Sequence, residues 1–201
     1  MHLGSSVGGN KMAKFFGNLN LVLLAGLLLA VVVILTVGDL AAGTTGLNQI
    51  FRWLHLFFGI VWIGLLYYFN FVQIPTMPKI PADLKPGISK HIAPSALFFF
   101  RWGAAFTVLT GLIVAYLSGY AHQALALQAP FRMIGVGMWM ALIMAFNVWV
   151  FIWPAQKKAL GLVPADDATK AASAAKAMMF SRTNTLLSIG MLYCMVNANG
   201  G

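Results

Sequence analysis

Few side chains in this sequence can hold a metal or move a proton, and the most informative of them lies inside an apolar run. Arg52, His55, Gly59 and Trp62 recur at helical spacing, so they share one face of a helix. A histidine followed one turn later by glycine leaves room for a flat ligand against the backbone. Neutral imidazole is a good axial ligand for haem iron, so a b-type haem is the cofactor this pattern would take, with His55 as its metal ligand. The same pattern also describes a histidine that bonds a neighbouring helix or a lipid headgroup. A second histidine ligand would have to lie at similar depth. His122 meets that condition just past the third apolar run, whereas His91 falls at the other end of the spans and His2 belongs to the N-terminal leader. Counting back from His122, Ser118, Ala115 and Gly111 form a stripe of small residues where a helix or a cofactor can approach closely.

A second polar constellation opens the last apolar run: Ser181, Arg182, Thr183, Asn184, Thr185 and Ser188. Ser181, Thr185 and Ser188 face one way at 3.6-residue spacing, and Arg182 can snorkel to the surface. Interhelical hydrogen bonding and a polar intramembrane site both fit this cluster, and Asn70 and Asn147 are placed to cap or bridge helices near it. Other chemistries are excluded by what is scarce. The single cysteine, Cys194, leaves no internal disulfide, no cysteine zinc site and no covalent c-type haem. Four aspartates and no glutamate leave little for paired-carboxylate hydrolysis or a di-iron carboxylate centre. The eleven methionines lack copper-site spacing in the loops and read as core filling.

The elements that must position these residues are membrane spans. A chain that is 60% hydrophobic and 8% charged, with mean hydropathy +0.83, does not describe a water-facing surface. Five runs, residues 19–37, 50–72, 95–118, 131–153 and 177–196, approach the about 20 helical residues that a bilayer core requires. The reading is therefore an all-α, polytopic bundle of five transmembrane helices: a leader over residues 1–18 and one transmembrane domain over 19–198. The first run also resembles a signal peptide, although its length favours a retained span. No fixed-period repeat is visible, which argues against a transporter built from inverted halves.

The net charge of +9 does not point to nucleic acid, because its distribution follows the spans. All nine lysines fall before the first span or in the segments after the second and the fourth. By the positive-inside rule those segments and the N-terminus are cytoplasmic, and the C-terminus is periplasmic in a bacterial inner membrane.

With these segments in view, the chain resembles a known family. Arg52-Trp53-Leu54-His55 followed by Gly59 to Phe69 (GIVWIGLLYYF) is similar to the second helix of the bacterial membrane-bound urate hydroxylases, the urate oxidase N-terminal membrane-domain family. Asn147 to Lys158 (NVWVFIWPAQKK) and Ser181 to Asn197 (SRTNTLLSIGMLYCMVN) resemble two later helices of that family, in the same order. The resemblance implies a short form without the cytochrome c domain of the long members. It also implies a histidine at the position that is Thr183 here.

Three functions follow as expectations. The first is an accessory or assembly subunit of a larger membrane oxidoreductase, a multi-pass protein partnered by lipids and by other membrane subunits or copies of itself. The second is a b-haem electron carrier serving a periplasmic cytochrome c. The third is a small-solute transporter or channel.

Overall fold

The computed structural model describes residues 7–38 and 43–198; His2, in the leader, and Asp39, in the first break, lie outside them. The described residues are helical with no strand. They fall into two compact units, Met1–Leu47 and Asn48–Gly201.

In the first unit, α1 spans Val7–Phe16 and α2 spans Leu19–Thr36. Asn18 separates them and caps α2, its side-chain oxygen accepting from the Asn20 and Leu21 amides at 3.1 and 3.3 Å. Leucine, valine and isoleucine run round the whole circumference of α2, the pattern of a helix in a uniformly apolar medium.

The second unit takes in nearly all of α3 (Thr44–Tyr67) and holds α4 (Ala93–Leu117), the short α5 (Ala121–Leu125), α6 (Arg132–Phe146), α7 (Trp153–Ala159) and α8 (Asp167–Asn197). Three π-helical segments interrupt this order: Tyr68–Gln73 after α3, Ile88–Ile92 before α4, and Asn147–Ile152 between α6 and α7. Each comes immediately before a helical residue and a proline: Pro75, Pro94 and Pro154. Proline has no N–H and its ring crowds the carbonyl four residues back. A wider turn relieves that crowding. The last amides before the prolines, those of Ile74, Ala93 and Trp153, reach back five residues to the carbonyls of Phe69, Ile88 and Val148.

Four continuous helical stretches are long and apolar enough to cross a membrane: Leu19–Thr36, Thr44–Lys79, Lys85–Leu117 and Arg132–Ala159. They correspond to the first four expected spans. The fifth expected span lies within α8, which is 31 residues long but is not among those four. Its polar residues between Ser181 and Ser188, and its lysine-bearing first turns, dilute the apolar run. Asp166 caps α8 by accepting from the Thr169 amide at 2.7 Å and from its hydroxyl at 2.9 Å.

The core is built where α3, α4, α6, α8 and the π turns meet. Trp62, Leu66, Phe69, Leu97, Phe100, Met144, Val148 and Met191 form one buried cluster. Gly103 allows α4 to reach α3, since a β-carbon there would lie 3.2 Å from the Trp62 backbone nitrogen. The small-residue stripe of α4 is used within the chain. Ala115 is buried against Ala124 and Met138, and Ser118 accepts a 2.7 Å bond from Asn48.

Candidate functional site

His55 lies on α3, three turns from its start, and leans on α4. Its Nδ1 is 2.9 Å from the Thr107 carbonyl oxygen. A carbonyl only accepts, so Nδ1 carries the proton, and in the neutral ring Nε2 keeps its lone pair. The Thr110 hydroxyl donates to the Phe106 carbonyl at 2.6 Å, which turns its oxygen to Nδ1–H as a weaker second acceptor at 3.4 Å. The ring rests on Gly111: a β-carbon there would meet Cε1 at 2.7 Å and Nδ1 at 3.0 Å. Only glycine leaves the imidazole in this place. Two helices thus fix both the tautomer and the plane of the ring, and no described residue bonds Nε2.

The ring borders a cavity of about 580 Å³ lined from α3, α4, α6 and α8, within the range of sites that hold medium-sized organic ligands. Ile60, Ile63, Val108, Leu112, Met138 and Met191 give it a largely apolar wall. Gly59 and Gly64 keep two stretches of the α3 wall free of side chains. Its polar groups gather toward one end, where Arg52, Ser118 and Tyr120 join His55 and Thr107. Tyr120 stacks on Phe131 at 5.3 Å between centroids. Burial pushes its phenol above the ordinary range, and the positive charge of Arg52 pulls the other way. Arg52 is exposed, a cation at the mouth of an apolar cleft.

Of the residues singled out in the sequence, His55, Gly59 and Arg52 therefore meet at one cavity. His122 does not join them: it is exposed on α5 and is not on the cavity wall, and His91 is exposed in the second π segment. Among the described residues no three of histidine, cysteine, aspartate and glutamate cluster as a metal cage.

The polar cluster of α8 lies at the other end of the spans, and its bonds are made with other helices and within α8. Asn147 donates to the Asn184 side-chain oxygen at 2.8 Å, and Asn184 donates to the Met144 carbonyl at 2.9 Å. Asn70 donates to the Ser181 hydroxyl at 2.8 Å, and the Tyr67 and Ser188 hydroxyls are 3.0 Å apart. Thr185 returns its hydroxyl to the Ser181 carbonyl at 3.1 Å, within its own helix. Asn184 and Ser188 are wholly buried, so this is helix-to-helix adhesion.

Reasoning from the sequence missed Thr107 and Gly111 as partners of His55. The only hint lay in the stripe that begins at Gly111, and the pairing across more than fifty residues had no local trace.

No curated protein and no solved structure matches the chain. The family described as urate oxidase N-terminal is matched over residues 98–199, just over half of the sequence. That stretch contains most of α4 and all of α6 and α8, and with them Thr107, Gly111 and Asn184, while His55 and Arg52 precede it. On this match the chain belongs to the urate oxidase N-terminal family.

Proposed function

We propose that this protein is a multi-pass subunit of a bacterial inner-membrane oxidoreductase and that its cavity holds a b-type haem against His55. The observation that carries the reading is the free Nε2 of a ring whose tautomer is fixed by the Thr107 carbonyl, on the edge of an apolar cavity. The residues present fit such a group. An imidazole nitrogen with its lone pair is available, Gly59 and Gly64 leave space along α3, and Arg52 at the mouth is placed to pair with carboxylates. The other soft donors on the wall are thioethers, among them Met138 and Met191. Haem bound here would supply reversible one-electron transfer. The chain's own work is to orient the imidazole through Thr107, to keep water from the ring with the apolar wall, and to balance charge with Arg52.

Membership of a family named for an oxidase supports the oxidoreductase setting. The lysine distribution supports a cytoplasmic N-terminus, and α8 as a fifth span then leaves the C-terminus periplasmic, on the side of His55 and Arg52. A periplasmic cytochrome c is the matching electron partner. A polar transport path has less support, because the hydroxyls and amides of α8 bond to neighbouring helices and to their own.

The test is the visible spectrum of the full chain purified from haem-replete cells. A Soret band that is lost or shifted in His55→Ala and kept in His91→Ala is the expected result. A haem-free preparation, or a band indifferent to His55, rejects the cofactor and leaves a subunit without one.

A further inference from the structure

At the opposite end of the spans from His55, one indole gathers two cations. The Arg101 guanidinium carbon lies 3.5 Å from the Trp153 ring centroid, and Lys157 Nζ, one turn along α7, lies 5.6 Å from it. Cation–π attraction holds each cation there, but a neutral ring cancels no charge. Arg101 Nε is buried and bonds no described residue. Among the described residues no carboxylate answers these charges. The only ion pair among the described residues joins Lys170 to Asp167 at 3.0 Å, Asp166 is engaged by Thr169, and Asp83 sits exposed in the loop after the second span. Two half-buried cations beside one ring, with no described carboxylate paired to either, repel each other in a medium that screens less than water.

We infer that Arg101, Lys157 and Trp153 form a binding site for a phosphate group, carried by an anionic lipid headgroup or present as free phosphate. The guanidinium fork matches two phosphate oxygens, and the lysine ammonium adds a compact charge that needs no fixed direction. Trp153 sets where the anion can sit by holding both cations to one ring. The residue types also suit the headgroup level, where tryptophan and basic side chains anchor the ends of spans. This site is independent of the cavity at His55, and haem content has no bearing on it.

The experiment is native mass spectrometry of the full chain in a neutral detergent, titrated with phosphatidylglycerol, with phosphatidylcholine and with inorganic phosphate. Arg101→Gln and Lys157→Gln should each weaken phosphatidylglycerol binding about fivefold, the usual worth of one basic residue facing an anionic lipid, and leave phosphatidylcholine unchanged. Lys157→Gln leaves the buried Arg101 Nε untouched and reports on the site even if Arg101→Gln fails to fold. Arg101→Lys, which keeps the charge and loses the fork, should fall in between. Phosphate binding without lipid, with the same dependence on both residues, identifies the free anion as the ligand; dependence seen with phosphatidylglycerol alone identifies the headgroup. Equal affinities in wild type and variants for every probe overturn the site.

Discussion

The two ends of the Asn48–Gly201 unit both place polar side chains among apolar helices, yet they differ in what their hydrogen-bonding atoms face. At the Asn184 end, amides and hydroxyls from three parts of the chain bond one another across helices. At the His55 end, one nitrogen is bonded and the other is left open toward a cavity. A polar group inside a membrane is costly in either case. The Asn184 end recovers most of that cost as adhesion between helices, although Asn70 Oδ1 is buried there and bonds no described residue. The His55 end leaves part of it unrecovered, which is the signature of a place kept for something else.

The sharpest way to break this contrast is Gly111→Leu. The new side chain would occupy the position of the imidazole, so the Nδ1 bond to Thr107 is lost and the cavity wall is rebuilt. Overpacking of this kind costs about 1–3 kcal/mol, and any ligand spectrum that depends on His55 should vanish with it. Asn184→Ala tests the other end. It leaves the Asn147 amide and the Met144 carbonyl without their partner, at about 1–2 kcal/mol by thermal unfolding in detergent, with no change at His55. If Asn184→Ala also altered the His55 spectrum, the two ends would be coupled and the contrast would fail.

A smaller effect sharpens the comparison. Tyr67→Phe removes one bond of 3.0 Å to Ser188 and keeps the ring stacked on Phe71, so a loss of about 0.6 kcal/mol is expected from the same unfolding assay. The smallest effect lies outside the spans. Hydrogen bonds from the Thr169 amide and hydroxyl hold the Asp166 carboxyl below the ordinary aspartate range. A depressed value means that the folded state favours the ionised form. The cap is therefore fully present above the ordinary aspartate range and is lost as pH falls through the lowered value. Amide exchange at residues 167–170 should quicken only at that acid end, and in Asp166→Ala it should be quick at every pH.

Hydropathy made the first four spans legible, because a helix in lipid must be apolar over its whole length and the breaks carry glycine and proline. The fifth expected span falls on α8, which is not among the four helices long and apolar enough to cross a membrane. The cluster from Ser181 to Ser188 serves neighbouring helices, so α8 keeps its length while losing the plain apolar run. Helical spacing brought Arg52, His55 and Gly59 to one face, and they do share one cavity. It could not show that Thr107 and Gly111 complete the setting of His55, since that depends on how α3 and α4 cross. His122 looked equivalent to His55 by depth alone. In the fold, α5 carries it on an exposed face, away from the cavity wall. Arg101 and Trp153 were visible only as basic and aromatic residues near span ends, and their stacking at 3.5 Å needed the fold.

The π turns before Pro75, Pro94 and Pro154 also change how this chain can be read as a wheel. A turn that closes over five residues carries one more residue than an α-helical ladder needs, and one residue is about 100° of rotation. The segments on either side of Tyr68–Gln73 are thus out of phase although no backbone break separates them. A helical wheel drawn straight from His55 through Lys79 assigns the residues beyond Gln73 to the wrong side. Removing one residue from such a turn would restore the phase and swing everything downstream of it round the axis, a far larger disturbance than any single side-chain replacement in the same segment.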